Sequence, residues 1–139
     1  MKKQTGIWID TSRAIIVTLS GGKEHVTEIE SDIENRIYHQ SEGDKGTFMG
    51  SSHISNEKSF DERKKNQIDK FLTQVLEQII NSDELYVFGP AEIKLKLKDK
   101  IGSNGKLSTK LKSVETADSM TLNQVVAKVK EFFSIDFRG

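Results

Sequence analysis

Residues 84–93 read Glu84-Leu-Tyr-Val-Phe-Gly-Pro-Ala-Glu-Ile93, and this stretch decides how the chain folds. Leu85 to Phe88 is an unbroken apolar run rich in β-formers, the pattern of a strand covered on both faces. Gly89-Pro90 turns the chain sharply, and proline suits the first turn of a helix, where its missing N–H costs nothing. A buried strand that runs straight into a helix is the centre of an α/β sheet. Ligands of such sheets gather at the carboxyl ends of the strands.

On the amino side, Ser59-Phe-Asp-Glu62 is a capping box, in which the serine oxygen and the glutamate satisfy orphan N–H groups. Ile68, Phe71, Leu72, Val75, Leu76, Ile79 and Ile80 then recur at spacings of three and four, which predicts an amphipathic helix ending at Asn81. Its first two turns lack the apolar stripe and are expected to project past the core. Residues 40–58 hold three glycines and four serines without periodicity and read as a flexible loop. Thr5–Asp10, Arg13–Leu19 and His25–Glu30 are β-rich runs separated by short turns, which predicts an antiparallel meander. Asn35 to His39 adds a short strand or extends the third.

On the carboxyl side, Ile93, Leu97 and Ile101 share one helical face between Pro90 and Gly102, which predicts a helix over 91–101. Leu107 to Glu115 alternates and reads as a returning strand. Thr121-x-x-Gln124 is a second capping box, opening a helix with Leu122, Val125, Val126, Val129, Phe132 and Phe133 inward. The expectation is one α/β domain over 1–139. It comprises a meander to residue 39, a loop over 40–58, an α-β-α-β-α block over 59–133 and a tail over 134–139.

Composition narrows the function classes. The 139 residues suffice for one hydrophobic core. Charged residues are 30%, hydrophobic ones 35%, and the formal net charge is zero, so no overall basic excess marks nucleic acid. Without cysteine there is no disulfide, thiolate metal site or cysteine nucleophile. No apolar run approaches the roughly 18 residues of a membrane span. Met1-Lys-Lys-Gln-Thr5 lacks a signal-peptide core, so a cytoplasmic protein without membrane contact is expected. Charge is nevertheless uneven, with seven acids against three bases in 23–45 and seven lysines against Asp99 alone in 94–112.

Gly6-Ile-Trp-Ile-Asp10, Val87-Phe-Gly-Pro90 ahead of a lysine-bearing helix, and Val114-Glu-Thr-Ala-Asp118 ahead of the last helix carry a resemblance. The chain, over about residues 5–133, resembles small bacterial translational machinery components. These are similar to the middle domain of archaeal and eukaryotic class I release factors and pelota. The resemblance implies a ribonuclease H-like mixed sheet with helices packed on it, and a ribosome or RNA partner. In release factors the loop before the first long helix carries a Gly-Gly-Gln motif. The matching loop here reads Lys45-Gly-Thr-Phe-Met-Gly-Ser-Ser52, without that motif. The resemblance therefore implies association rather than peptide release.

Three sets of residues are candidates. Lys94 and Lys98, with Lys64 and Lys65 at the projecting helix start and Lys110 and Lys112 beyond, form a phosphate-binding footprint for RNA. No aromatics are interleaved with them, so sequence readout, of DNA included, is not expected. The alternative is a metal-dependent nuclease or other phosphoryl-transfer enzyme in which Asp10, Glu115 and Asp118 converge at strand ends. In a third reading, Phe48, Met49 and Ile54 of the 40–58 loop anchor a protein partner. His25, His39 and His53 have no metal-ligand spacing, and neither metal nor cofactor is expected.

Overall fold

The structure, a computed structural model, describes residues 2–31, 33 and 50–138, apart from the side chains of 50–61 and 135–138. The meander is present as β1 (Lys3–Ile9), β2 (Arg13–Ser20) and β3 (Lys23–Glu30). Helix α1 (Gly50–Ile79), strand β4 (Glu84–Gly89), helix α2 (Ile93–Ser103), strand β5 (Leu111–Thr116) and helix α3 (Leu122–Arg138) follow. The five strands form one sheet in the order β3-β2-β1-β4-β5. Antiparallel pairing joins β1 to β2 and β2 to β3, while β4 pairs parallel with both β1 and β5. A two-residue turn at Gly21 (φ 59°) and Gly22 (φ 80°) joins β2 to β3, in the left-handed region that glycine enters freely.

All six residues of β4 are buried, as the opening stretch requires. The cause is a sheet covered on both faces. Ile7, Ile9, Ile16, Leu85 and Val87 pack on one side with Phe71, Val75 and Ile79 of α1 and Ile93, Leu97 and Ile101 of α2. Trp8, Ile15, Val17, Tyr86 and Phe88 pack on the other with Val125, Val129 and Phe133 of α3. Successive strand residues point to opposite faces, so a continuous apolar run fills two cores at once. Gly6 lets α3 come close: a Cβ there would lie 2.3 Å from Val129 Cγ2.

Four boundaries differ from the sequence reading. Helix α1 begins at Gly50, nine positions before the Ser59 capping box, so the expected loop is helical over 50–58. No proline or glycine from Ser51 to Lys58 stops a helix from propagating through a four-residue cap motif. Helix α2 begins at Ile93 and passes through Gly102 to Ser103. Strand β5 begins at Leu111 rather than Leu107, because Asn104 captures the intervening backbone. Its side-chain oxygen accepts from Lys106 N (2.9 Å) and Leu107 N (3.1 Å), and its carbonyl accepts from Ser108 N at 2.8 Å. The expected tail is the last turns of α3, which runs to Arg138. The strand expected over Asn35–His39, and Phe48 and Met49, lie outside the described residues. Ile54 lies on α1, with its side chain also outside them.

Candidate functional site

Both α1 and α2 run back along the sheet against the direction of β4, which fixes where their lysines stand. Ile79 ends α1 just before β4 begins at Glu84, and Lys65 lies fourteen residues earlier, about 21 Å along the helix. That distance matches the roughly 20 Å length of a six-residue strand. Lys64 and Lys65 therefore stand near the carboxyl end of β4, the end at which α2 starts with Lys94. Lys110 and Lys112 stand at the opposite end, at the foot of β5, and Lys98 lies between. The six expected cations form a strip rather than a cluster.

Two of the six are committed elsewhere. Lys94 is 8% exposed, and its ammonium donates to the Ala91 carbonyl at 3.0 Å, closing the turn ahead of its own helix. Lys112 Nζ lies 3.3 Å from Glu84 Oε2. Lys65 and Lys98 are exposed and Lys64 and Lys110 half-buried; none of the four has a hydrogen-bonded acid among the described residues, although the Lys3 backbone N–H first, and Lys110 after it, help to hold the Asp83 carboxyl below its ordinary value. Lys100 pairs with Asp69 of α1, and Lys106 Nζ donates to Asn81 Oδ1 at 3.2 Å. Lys96, not singled out in the sequence, is exposed on α2 and completes the strip. Helical periodicity could have found it: with Ile93, Leu97 and Ile101 inward, Lys96 and Lys98 fall on the two flanks of the outer face.

The turn at Gly89-Pro90 is built for packing. A Cβ at Gly89 would lie 2.1 Å from the Ile9 carbonyl oxygen, so only glycine lets β4 pass the end of β1. The Gly89 carbonyl accepts from Ala117 N at 2.9 Å. Helix α2 opens three residues after Pro90, with Glu92 as its N-cap residue making no side-chain cap bond. A carboxylate at that position opposes anion binding by the helix N-terminus.

The three candidate carboxylates are engaged separately. Asp10 Oδ1 accepts from Ser12 N (2.8 Å) and Arg13 N (2.9 Å), the work of a turn former between β1 and β2. Glu115 accepts from the Tyr86 hydroxyl at 2.7 Å and lies 4.0 Å from Lys128 Nζ. Burial first, and the Glu115 bond second, push the Tyr86 phenol well above its ordinary value. Asp118 contributes its carbonyl, which accepts from Trp8 Nε1 at 3.3 Å. Among the described residues no three His, Asp or Glu side chains approach closely enough to share a metal ion.

Glu84 is the carboxylate that sequence reasoning missed. It is 8% exposed, accepts from Gln4 Nε2 at 2.7 Å, and is flanked by Lys112 and, at 3.5 Å, Lys2. It ties together the feet of β1, β4 and β5. Only the partners' positions reveal it, since they lie far apart in the chain. Beside that foot a cleft of about 370 Å³ opens between the β2–β3 turn and α3, lined in part by Lys2, Leu19, Lys23, Lys130 and Phe133.

No family model matches the chain, and no curated protein matches it in sequence. Solved structures do match in fold. The archaeal translation termination factor aRF1 gives a TM-score of 0.52 at 12% identity, over 98% of this chain and 41% of that one. Pelota of Archaeoglobus fulgidus gives a TM-score of 0.51 at 10% identity, over 97% of this chain and 36% of that one. The chain thus spans less than half the length of either protein, and across nearly all of its own length it is similar in fold to a part of each.

Proposed function

We propose that this chain is a non-catalytic domain that associates with the ribosome or its RNA. The observation that carries the reading is the likeness in fold to aRF1 and Pelota over nearly the whole chain. A strand order β3-β2-β1-β4-β5 in which β2 alone runs against the others supports assigning the sheet to the ribonuclease H-like group. The absence of Gly-Gly-Gln from residues 40–58 argues against peptide release, which leaves association. Contact runs along the lysine strip of α2 and the foot of β5 and through Lys64 and Lys65 on α1. The 40–58 segment, carrying Phe48, Met49 and Ile54, supplies the second point of contact.

Co-sedimentation tests this. The protein is expected to pellet with ribosomes at low salt and to be released as salt rises, because contacts between lysine and phosphate release counterions. Failure to pellet at low salt, where such contacts are strongest, would overturn the reading.

A further inference from the structure

We infer that the lysine strip takes double-helical RNA in preference to single strands; the inference rests on the RNA-association reading above. Lys65, Lys96 and Lys98 are exposed and have no paired acid among the described residues, while Lys110 is half-buried and stands within electrostatic reach of Asp83. Lys65 stands on α1, Lys96 and Lys98 on α2, whose eleven residues span about 16 Å, and Lys110 in the turn just ahead of β5. All are lysines, which offer point charges and lack the planar stacking surface of arginine.

Proteins that hold single strands rely on aromatic rings on which unpaired bases stack. Here the described Trp, Tyr and Phe rings are spent on the core. Trp8, Phe71, Tyr86, Phe88 and Phe133 are at most 1% exposed, and Phe132 stacks on Tyr86 at 3.9 Å between centroids. The exposed large apolar side chains among the described residues are Leu95 and Leu122, neither of them aromatic. An array that offers charge alone favours the ligand with the denser charge, and a duplex carries twice the phosphate per unit length of one strand. A duplex is also already ordered, whereas a flexible strand loses conformational freedom when it follows a rigid array. Two physical effects therefore point the same way, and among the described residues no exposed Trp, Tyr or Phe ring opposes them.

The test is fluorescence anisotropy of the whole chain with a labelled twenty-nucleotide RNA, single-stranded and annealed to its complement, over a series of salt concentrations. The duplex is expected to bind about tenfold tighter, with a log–log salt slope of about −3.6 for four contacts. A Lys96→Glu/Lys98→Glu variant, both sites being exposed, should weaken duplex binding while its circular dichroism stays that of the wild type. Equal or tighter binding of the single strand overturns the preference and leaves RNA association standing. Absence of binding to both forms at low salt overturns both.

Discussion

At the scale of single residues, two glycines and one glutamate hold the fold in register. Gly6 is the place where α3 touches the sheet, with a hypothetical Cβ 2.3 Å from Val129 Cγ2 and 2.8 Å from its Cγ1. Gly6→Ala is expected to cost about 1–3 kcal/mol by overpacking, read as a fall in denaturant midpoint. The same change in a Val129→Ala background should cost clearly less, since the two clashing methyls are gone. An additive double-mutant cycle would contradict the contact. Glu84 works through charge. Burial alone would raise its pKa, but Gln4, Lys112 and Lys2 outweigh burial and hold the carboxyl below its ordinary 4.5. With the folded value depressed, its contribution is complete above the unfolded value and is lost as pH falls through the folded one. Glu84→Gln should therefore lose about 1–2 kcal/mol at neutral pH. Its stability should also fall less steeply than the wild type's on acidification below about pH 5. Parallel curves for the two proteins in urea unfolding across that range would refute the assignment.

At the scale of elements, α3 is the best specified. Its capping box closes both ways: Gln124 N donates to Thr121 Oγ1 at 3.2 Å, and Thr121 N donates to Gln124 Oε1 at 2.9 Å. Thr121→Ala is expected to destabilise the protein by about 1 kcal/mol, and Thr121→Ser to retain most of that, by thermal or denaturant unfolding. This cap was legible in the sequence because it precedes an apolar stripe at helical spacing, whereas Ser59-x-x-Glu62 falls inside a helix that had already begun. The strands were legible where one residue pattern admits one structure, as in Leu85–Phe88. Leu107-Ser-Thr-Lys110 alternates like a strand, yet Asn104 decides its path through bonds that alternation does not encode. The candidate site was half legible for a related reason. A run of lysines announces a basic strip, and helical periodicity would add Lys96 to it, but only the fold assigns Lys94 to Ala91 and Lys112 to Glu84.

At the scale of the whole molecule, charge and topology follow the same axis. The sheet runs from β3, bearing Glu24, Glu28 and Glu30, to β5 and the lysines beside it, so zero net charge conceals a separation from edge to edge. Two of those acids are tied locally, Glu24 to Lys130 and Glu28 to Arg13. On the RNA-association proposal, the molecule would present one edge to the polyanion and turn the other away. The placement of β1 has a further consequence, and it concerns timing. β1 meets β2 across a short turn, but its other edge waits for β4, and Gln4 bonds to a residue 80 positions later. At cellular rates of chain growth, the residues between Glu30 and Glu84 take roughly 3 to 10 s to be added. Through that interval a newly made meander stands with an apolar central strand unpaired along one side, open to other chains. The sheet is therefore expected to close late, with the parallel half setting the pace of folding.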